Sequence, residues 1–489
     1  MPIRFKLSIS IAAFAVATGC AGLPIPGTGP GPGEQITQSE RQQGAQAHTQ
    51  LVQQFGGAYS GPQSNYVVRV GQRIAVQSGL SNSQNDFTVT MLNSPVENAF
   101  ALPGGYVYIT RNLVGLMNSE AELASVMGHE VGHVAARHSS RRQSTSTLTQ
   151  ILALGLGILT GSGDVANIAG QAAQLYTLRY SRSQEYEADS LGISYLTSAG
   201  YDPFAAADML RSLAAQTTLD ARIAGRDARA LPEWASTHPD PGARVSRAES
   251  VASQRGAVRG RGETGRDAFL TAIDGMMYDD DPSQGVIEGQ TFKHPDLRLQ
   301  FTVPNGYTIQ NGTSAVVVSG NAGQAQFGGG TANGSLTDYI GQVFRGLAGQ
   351  GQAPSIGNVR SFTVNGIPAA QAGARMSSGQ NQVDVTVTAY EFGNNRRYHF
   401  VTIAQAGQGT GPFSSLIGSV SRLSASEAAA IRPRVLDVVT VRSGETISSL
   451  ASRMAYENYR EERFRVLNDM GSGDQLRVGQ RVKLIVYGS

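Results

Sequence analysis

The spacing of apolar and polar residues divides the chain into regions of different secondary structure. Residues 34–255 mostly follow the helical period, with strand-like exceptions at 87–92 and 105–110. From about 266 to 430 apolar and polar residues alternate, as in strands that bury one face, and an amphipathic helix is predicted at 335–347. The sequence therefore predicts a mainly helical region followed by an α+β region.

The stretch 253–265 between these regions is rich in glycine and polar residues and is typical of a linker. Three consecutive aspartates, 279–281, follow it. They are expected in a solvated turn, and a calcium loop is the alternative.

Residues 433–489 combine strand-like and helical patterns. A strand-like run at 437–441 leads through a Ser-Gly-Glu-Thr turn into a helical stretch, and a second helical stretch and a final strand-like run at 476–485 follow. This order, with its Gly-Glu-Thr turn, resembles a LysM domain, a module that binds N-acetylglucosamine glycans. We therefore expect a small βααβ domain over 433–489, and the resemblance implies peptidoglycan as a partner.

The first 33 residues are expected to lie outside the fold. Two basic residues precede an apolar run over 7–19 that is too short to span a bilayer and is typical of a secretory signal. The run ends at Cys20, the only cysteine of the chain, in a pattern similar to a bacterial lipobox. This resemblance implies removal of residues 1–19, lipidation of Cys20 and a Pro/Gly tether over 20–33. Alanine follows Cys20, which by the bacterial sorting rule favours the outer membrane.

Composition and charge narrow the functional classes. Apolar residues make up 40% of the chain, enough for globular domains to bury cores. The formal net charge is only +2, so the chain lacks the basic excess that indicates nucleic-acid binding. A second apolar run, at 151–160, is too short to cross a membrane. It is expected to form a buried helix, or alternatively a lid or membrane-touching hairpin.

The clearest chemical motif is the stretch His129-Glu-Val-Gly-His133. Apolar residues at helical spacing place it in a helix, and its two histidines, four residues apart, share one helix face. Two imidazoles so placed can bind one zinc ion. Glu130 is rotated by about 100° from His129, which suits a base that contacts the water on the metal. Gly128 and Gly132 each cost about 1 kcal/mol in a helix, which indicates that another element packs against that face.

A catalytic zinc ion needs a third protein ligand and an open position. His138 lacks the spacing of the third metzincin histidine and is expected to be an ordinary residue near the helix C-terminus. Glu185 and Asp189 are better candidates, because they share one face of a predicted helix. One can bind zinc while the other accepts a hydrogen bond from a ligand histidine and fixes its tautomer. Glu187 is expected to point elsewhere.

These motifs resemble the zinc metallopeptidase family that includes the HtpX and BepA proteases and the prenyl-protein (CaaX) endopeptidases. Besides the HExxH helix, the similarity lies in residues 98–110, residues 181–189 and the tetrapeptide 236–239, Ser-Thr-His-Pro. The resemblance implies one Zn²⁺ per chain. The implied roles are ligand for His129, His133 and Glu185, base for Glu130, and hydrogen-bond acceptor behind the ligands for Asp189.

The resemblance also implies roles for one strand and for His238. The residues Gly105, Tyr106, Val107 and Tyr108 resemble the family's edge strand, which would pair with an extended substrate peptide; a simple core strand is the alternative. His238 would either occupy zinc's fourth position as a latch or, when protonated, stabilise the oxyanion of the reaction. The plain alternative is a capping or surface histidine.

We therefore expect a multidomain protein. Its parts are a mainly helical zincin core of the gluzincin type with a small β-sheet over 34–255, an α+β domain of unassigned role over 266–432, and the LysM-like domain. The predicted function is that of an outer-membrane-anchored zinc endopeptidase, facing the periplasm, that cleaves misfolded or misassembled envelope proteins. The alternatives are a chaperone-like assembly factor with latent protease activity and a peptidoglycan-anchored structural lipoprotein.

Overall fold

The computed structural model describes most of the chain in seven ranges. These are 34–138, 180–223, 237–238, 240–312, 315–348, 354–378 and 381–488. Cys20 and the apolar run 151–160 lie outside the described residues. Within these ranges, no helix is both long and apolar enough to cross a bilayer.

The first region places a three-stranded sheet between helices. Its strands are β1 (Thr88–Leu92), β2 (Ala99–Leu102) and β3 (Tyr106–Thr110). Its helices are α1 (Gln38–Gln54), α2 (Pro62–Ala75), α3 (Arg111–Leu116), α4 (Glu120–Ala135), α5 (Arg182–Ala199), α6 (Ala205–Ile223), α7 (Pro241–Gln254) and α8 (Arg266–Ile273). The side chains of successive β3 residues point to opposite faces of the sheet. Val107 and Ile109 join the main core, whereas Tyr108 packs with Leu51 of α1. The strands predicted at 87–92 and 105–110 are confirmed.

The predicted position of the substrate strand is wrong. The strand order is β1–β3–β2, so Tyr106, Val107 and Tyr108 lie in the central strand. They pair in parallel with Thr88, Val89 and Thr90 of β1, and antiparallel with Leu102, Ala101 and Phe100 of β2. Gly105 belongs to the turn before this strand, at φ +84°. Because both sides of β3 are already hydrogen-bonded, it has no free edge for a peptide; β2 lies at the edge instead.

The glycines of the HExxH helix explain how α4 and α5 come so close. A Cβ atom at Gly132 would lie 3.0 Å from the carbonyl oxygen of Ala188, and one at Gly192 would lie 2.9 Å from the backbone nitrogen of His129. The expected packing against the glycine face is therefore confirmed, and the partner is the backbone of α5. This close crossing sets the distance between the histidines of α4 and the carboxylates of α5.

The second region is a sheet-rich body. Its strands are β5 (Val286–Glu288), β6 (Thr291–His294), β7 (Leu299–Thr302), β8 (Thr308–Asn311), β9 (Val316–Gly320), β10 (Gly323–Thr331), β11 (Arg360–Val364), β12 (Ile367–Ser378), β13 (Asn381–Glu391), β14 (Arg396–Gln405) and β15 (Ser421–Arg422). Seven of them form a sheet in the order β11-β12-β13-β14-β10-β9-β8, and the other four form a second sheet in the order β15-β7-β6-β5. Helix α9 (Leu336–Ala348) covers one face of the large sheet, near its predicted position. Two short helices follow β14, α10 (Ser414–Ser419) and α11 (Ala425–Ala430).

The C-terminal module has the predicted order of strand, two helices and strand. Its elements are β16 (Arg434–Thr440), α12 (Ile447–Ala451), α13 (Arg460–Leu467) and β17 (Arg481–Tyr487). A short strand from the middle of the chain, β4 (Met277–Tyr278), pairs with β16 and completes a three-stranded sheet. The module is thus joined by backbone hydrogen bonds to a segment distant in sequence.

The C-terminal module shares its core with the first region. One cluster of buried apolar residues extends from Tyr66 in α2 to Ile485 in β17. Lys483 is fully buried, and its Nζ donates to the carbonyl oxygens of Gly115, Leu116 and Met117 at 2.8, 3.1 and 2.5 Å. These carbonyls end α3, where the helix dipole favours a cation. A buried ammonium group is tolerated only when it is hydrogen-bonded, so Lys483 fixes the module against the turn before the HExxH helix.

The stretch 253–265, predicted as a linker, connects α7 to α8 from residue 255 onward. It packs against the first region, because the carbonyls of Glu263 and Thr264 accept hydrogen bonds from the backbone nitrogens of Asp202 and Ala121. A second expectation is wrong. The three aspartates 279–281 are not in a solvated turn. Asp279 accepts hydrogen bonds from Arg434 and Tyr456 of the C-terminal module at 3.0 and 2.6 Å, and Asp281 accepts one from Asn93 at 2.8 Å. The aspartates therefore join all three parts of the chain, a long-range role that local composition does not reveal.

Candidate metal centre

Four buried side chains that can bind a metal converge beside the crossing of α4 and α5. His129 and His133 come from α4, Glu185 from the first turn of α5, and His238 from the short segment 237–238. Each offers one ligand atom, and these atoms all lie within 4.8 Å of one another. None of the four residues is more than 5% exposed. The Nε2 atom of His133 lies 3.0 Å from Nε2 of His129 and 3.6 Å from Oε1 of Glu185.

The chemistry of this set fits a zinc ion. Two imidazole nitrogens and one carboxylate oxygen are a common ligand set of catalytic zinc. Glu130 adds a second indication, because both of its oxygens are buried and neither accepts a hydrogen bond from any described residue. Its nearest ionic neighbour is His238, whose Nε2 lies 3.5 Å from Oε1. Burial raises the pKa of Glu130.

Asp189 and Arg244 contact His129 and Glu185 on the side away from the candidate metal position. Oδ1 of Asp189 lies 2.9 Å from Nδ1 of His129, so Nδ1–H donates and Nε2 faces the other ligands. Arg244, from α7, donates to Asp189 through Nε at 2.8 Å and Nη2 at 2.5 Å, and its Nη1 lies 2.5 Å from Oε2 of Glu185. Burial alone would raise the pKa of Asp189, but Arg244 and His129 outweigh it and lower that pKa. The carboxylate therefore stays charged.

His138 and Glu187 also reach the site, contrary to the sequence-based expectation. Arg137 adopts a left-handed conformation at φ +51°, directly after α4, and this turn brings His138 back toward His133. The Nδ1 atoms of the two histidines lie 2.8 Å apart, and Nε2 of His138 lies 3.1 Å from Oε2 of Glu187. Helical spacing would not place residues 133 and 138 on one face, so only the turn at Arg137 could have revealed the contact.

Tyr180 connects the histidine cluster to the segment that carries His238. Its ring stacks on the ring of His133 with centroids 3.7 Å apart, and its backbone nitrogen donates to the carbonyl of Thr237 at 3.3 Å. Nδ1 of His238 lies 3.2 Å from Oε1 of Glu185 and 3.3 Å from Nε2 of His129. The surroundings thus hold His238 inside the ligand set.

A crevice opens beside His133 at the edge strand. Its walls come from the end of β2, from α1, from the end of α4 and from Tyr180, which lies two residues before α5. The lining residues are Glu40, Ala101, Leu102, Pro103, His133, Val134, Arg137 and Tyr180. Among the described strands, β3 is the only one that pairs with β2. An extended peptide in the crevice would therefore meet the outer edge of β2 beside the histidines.

The HExxH helix and the convergent histidine and carboxylate side chains are features found in metal-dependent hydrolases. Residues 62–252 match the sequence model of peptidase family M48, and residues 439–484 match that of the LysM domain. Residues 62–252 thus have the sequence features of family M48 peptidases and residues 439–484 those of LysM domains, and the resemblance stated from the motifs is confirmed over these regions.

Several curated proteins are similar over the peptidase region. The beta-barrel assembly-enhancing protease of Yersinia pestis is 32% identical over 200 residues, which cover 39% of this chain and 39% of that protein. The mitochondrial metalloendopeptidase OMA1 of Schizosaccharomyces pombe is 31% identical over 215 residues, or 43% of this chain and 60% of that protein. Its Arabidopsis thaliana counterpart is 37% identical over 151 residues, or 31% and 28%. The chain thus spans less than two thirds of each of these relatives. A solved structure from Bacteroides thetaiotaomicron aligns over 41% of this chain and 87% of its own, with a TM-score of 0.25 and 9% identity, and supports no argument.

Proposed function

We propose that this chain is a zinc-dependent endopeptidase with a gluzincin-type core in residues 34–255. His129, His133 and Glu185 would hold one Zn²⁺, and Glu130 would act as the base. The observation that carries the proposal is the buried Glu130 carboxylate, without a hydrogen-bond partner in the described residues, beside three convergent ligands. Such an arrangement is costly unless a metal and a water complete it. Zinc content and cleavage of an unfolded polypeptide by the purified chain test it.

The residues divide the chemistry between them. A bound zinc ion would polarise the scissile carbonyl and increase the acidity of the attacking water. Glu130 takes the proton from that water and delivers it to the leaving amine. Asp189 keeps the proton of His129 on Nδ1, so that Nε2 remains available as a ligand atom.

We propose the outer edge of β2, residues 99–102, as the strand that pairs with the substrate. This replaces the earlier expectation for residues 105–108. Backbone pairing along an edge reads the main chain and leaves side-chain preference loose. Loose preference suits unfolded or misassembled polypeptides, and relatives of this chain include proteins named beta-barrel assembly-enhancing protease. Misassembled envelope proteins are therefore the substrate class we propose.

His238 is proposed to keep the protease latent. Its ring lies 3.3 Å from Nε2 of His129 and 3.5 Å from Oε1 of Glu130, so it occupies space that a substrate carbonyl and a water would need. A histidine that only stabilised the oxyanion would have to leave that space open. The position favours the latch, and it also supports the second candidate function, an assembly factor whose protease activity is normally latent.

If His238 blocks the site as a latch, removing its imidazole should increase the basal rate of cleavage. His238→Ala is expected to increase basal cleavage of an unfolded substrate severalfold while zinc content stays at one per chain. The measurement is the initial rate of casein cleavage alongside zinc analysis of the same sample. A lower rate with zinc retained would instead assign His238 to oxyanion stabilisation. An unchanged rate and zinc content would remove it from the site.

We further propose that the mature protein is anchored to the outer membrane through lipidated Cys20, with the tether 20–33 leading to the peptidase region and the periplasm as its compartment. The support is the lipobox-like sequence at the end of an apolar signal. Cys20→Ser is therefore expected to move the protein from the membrane fraction to the soluble periplasmic fraction in cells, with Ser8→Ala as the control. Unchanged membrane association of the Cys20 variant would contradict the anchor.

Peptidoglycan is proposed as the ligand of the LysM domain in residues 433–489. The loops after β16 and before β17, which include Gly444 and Val478, are exposed and so are open to a glycan. Because Lys483 and the apolar face of this domain are buried against the first region, glycan binding is best measured on the full chain. The α+β part predicted over 266–432 is proposed without an assigned role, and its first residues, 266–278, pack in the core that the first region shares with the C-terminal module.

A further inference from the structure

The two histidines of the HExxH motif are supported in different ways. His129 meets a carboxylate directly, since Asp189 lies 2.9 Å from its Nδ1. His133 instead meets a second imidazole, because its Nδ1 lies 2.8 Å from Nδ1 of His138. A carboxylate contacts this second imidazole rather than His133 itself, because Oε2 of Glu187 lies 3.1 Å from Nε2 of His138.

The distances assign the protons of this chain of contacts. Nε2 of His133 faces His129 and Glu185 at 3.0 and 3.6 Å, so it is the ligand atom and its lone pair must be free. The proton of neutral His133 therefore lies on Nδ1 and is donated to Nδ1 of His138. His138, which accepts at Nδ1, carries its own proton on Nε2 and donates it to the Glu187 carboxylate.

We infer that Glu187 and His138 are positioning residues for the metal ligand His133. The negative charge of Glu187 fixes the tautomer of His138, and His138 in turn fixes the tautomer and ring orientation of His133. This inference rests on the proposed zinc site, and it extends to His133 the support that Asp189 gives to His129. Neither residue lines the crevice beside His133, so they are assigned positioning rather than catalytic roles.

The burial of the three residues suits this role. His133 and His138 are 2% and 0% exposed, so a misplaced proton between them could not be compensated by water. Tyr180 stacks on His133 and restricts the ring to the plane in which Nδ1 reaches His138. Glu187 lies at the rim with 43% of its side chain exposed, so it can be changed without opening the core.

The test is the zinc affinity of the purified full-length protein, measured by competition with a chromophoric chelator. Glu187→Gln keeps the shape of the side chain and removes its charge, and outer partners of this kind typically contribute 10–100-fold to metal affinity. We expect a loss of about tenfold or more. The matched control is Glu249→Gln, which removes an equally exposed carboxylate from α7 and is expected to leave zinc affinity unchanged.

Thermal unfolding separates positioning from general stability. Glu187→Gln is expected to leave the melting temperature of the metal-free protein unchanged and to reduce the increase that zinc produces. His138→Leu should weaken zinc binding further, but the smaller Glu187 change keeps the test valid if that variant does not fold. In the zinc-loaded protein, nitrogen NMR should find the proton of His133 on Nδ1 and that of His138 on Nε2.

Two results would overturn the inference, and only one of them would also overturn the proposed zinc site. If the unaltered protein binds zinc tightly and Glu187→Gln binds it equally well, the positioning role is wrong while the zinc site stands. If the unaltered protein binds no zinc, the proposed function and the inference both fall.

Discussion

Glu130→Gln is expected to leave a folded protein that retains one zinc ion and has lost hydrolysis by about three orders of magnitude, near the middle of the range that general acid–base catalysis contributes. The amide keeps the size of the side chain but cannot accept the proton of the attacking water. Because both Glu130 oxygens lack hydrogen-bond partners among the described residues, the change breaks no contact that holds the fold.

The measurement is the rate of cleavage of an unfolded protein, compared in the same preparation with zinc content and melting temperature. Glu249→Gln serves again as the charge control and should cleave at the normal rate. If Glu130→Gln cleaves within a few-fold of the unaltered protein, Glu130 is not the base.

Glu185→Ala is expected to abolish stable zinc binding. The change removes the only carboxylate of the ligand set. It also removes one of the two carboxylate partners of Arg244, whose positive charge then lies beside two imidazoles. The loss of affinity should exceed the 10–100-fold typical of residues that act through a ligand.

Asp189→Asn provides the graded comparison, because Asp189 lies on the same helix but contacts His129 rather than the metal position. Zinc affinity, measured by chelator competition, should fall in the order unaltered protein, Asp189→Asn, Glu185→Ala. If Glu185→Ala kept both metal and activity, the third ligand would be another residue, and His238 would be the first to examine.

The parts of this site that were predictable depend on local spacing. His129 and His133 at four residues apart, with Glu130 between them, define one helix face whatever the rest of the fold does. The same applies to Glu185 and Asp189 on the next site helix. The cost of two helix glycines likewise predicted close packing, and α5 provides it.

The parts that were not predictable depend on contacts between distant segments. Strand β3 could not be placed at the centre of its sheet without knowing that β1 pairs with it in parallel. The contact of His138 with His133 requires the left-handed turn at Arg137, which is not glycine and gives no signal in the sequence. Lys483 resembles an ordinary surface lysine until its three carbonyl partners, more than 360 residues away, are known.

The most direct test of the central claim combines zinc analysis with reversible loss of cleavage. Purified full-length protein and its His238→Ala variant would be analysed for metal, incubated with casein, treated with a chelator and then resupplied with zinc. The account predicts one zinc ion per chain in both proteins, casein cleavage that is stronger in the variant, loss of cleavage with the chelator and its return with zinc. Absence of bound zinc in both proteins, or the absence of casein cleavage by both zinc-loaded proteins, would contradict it.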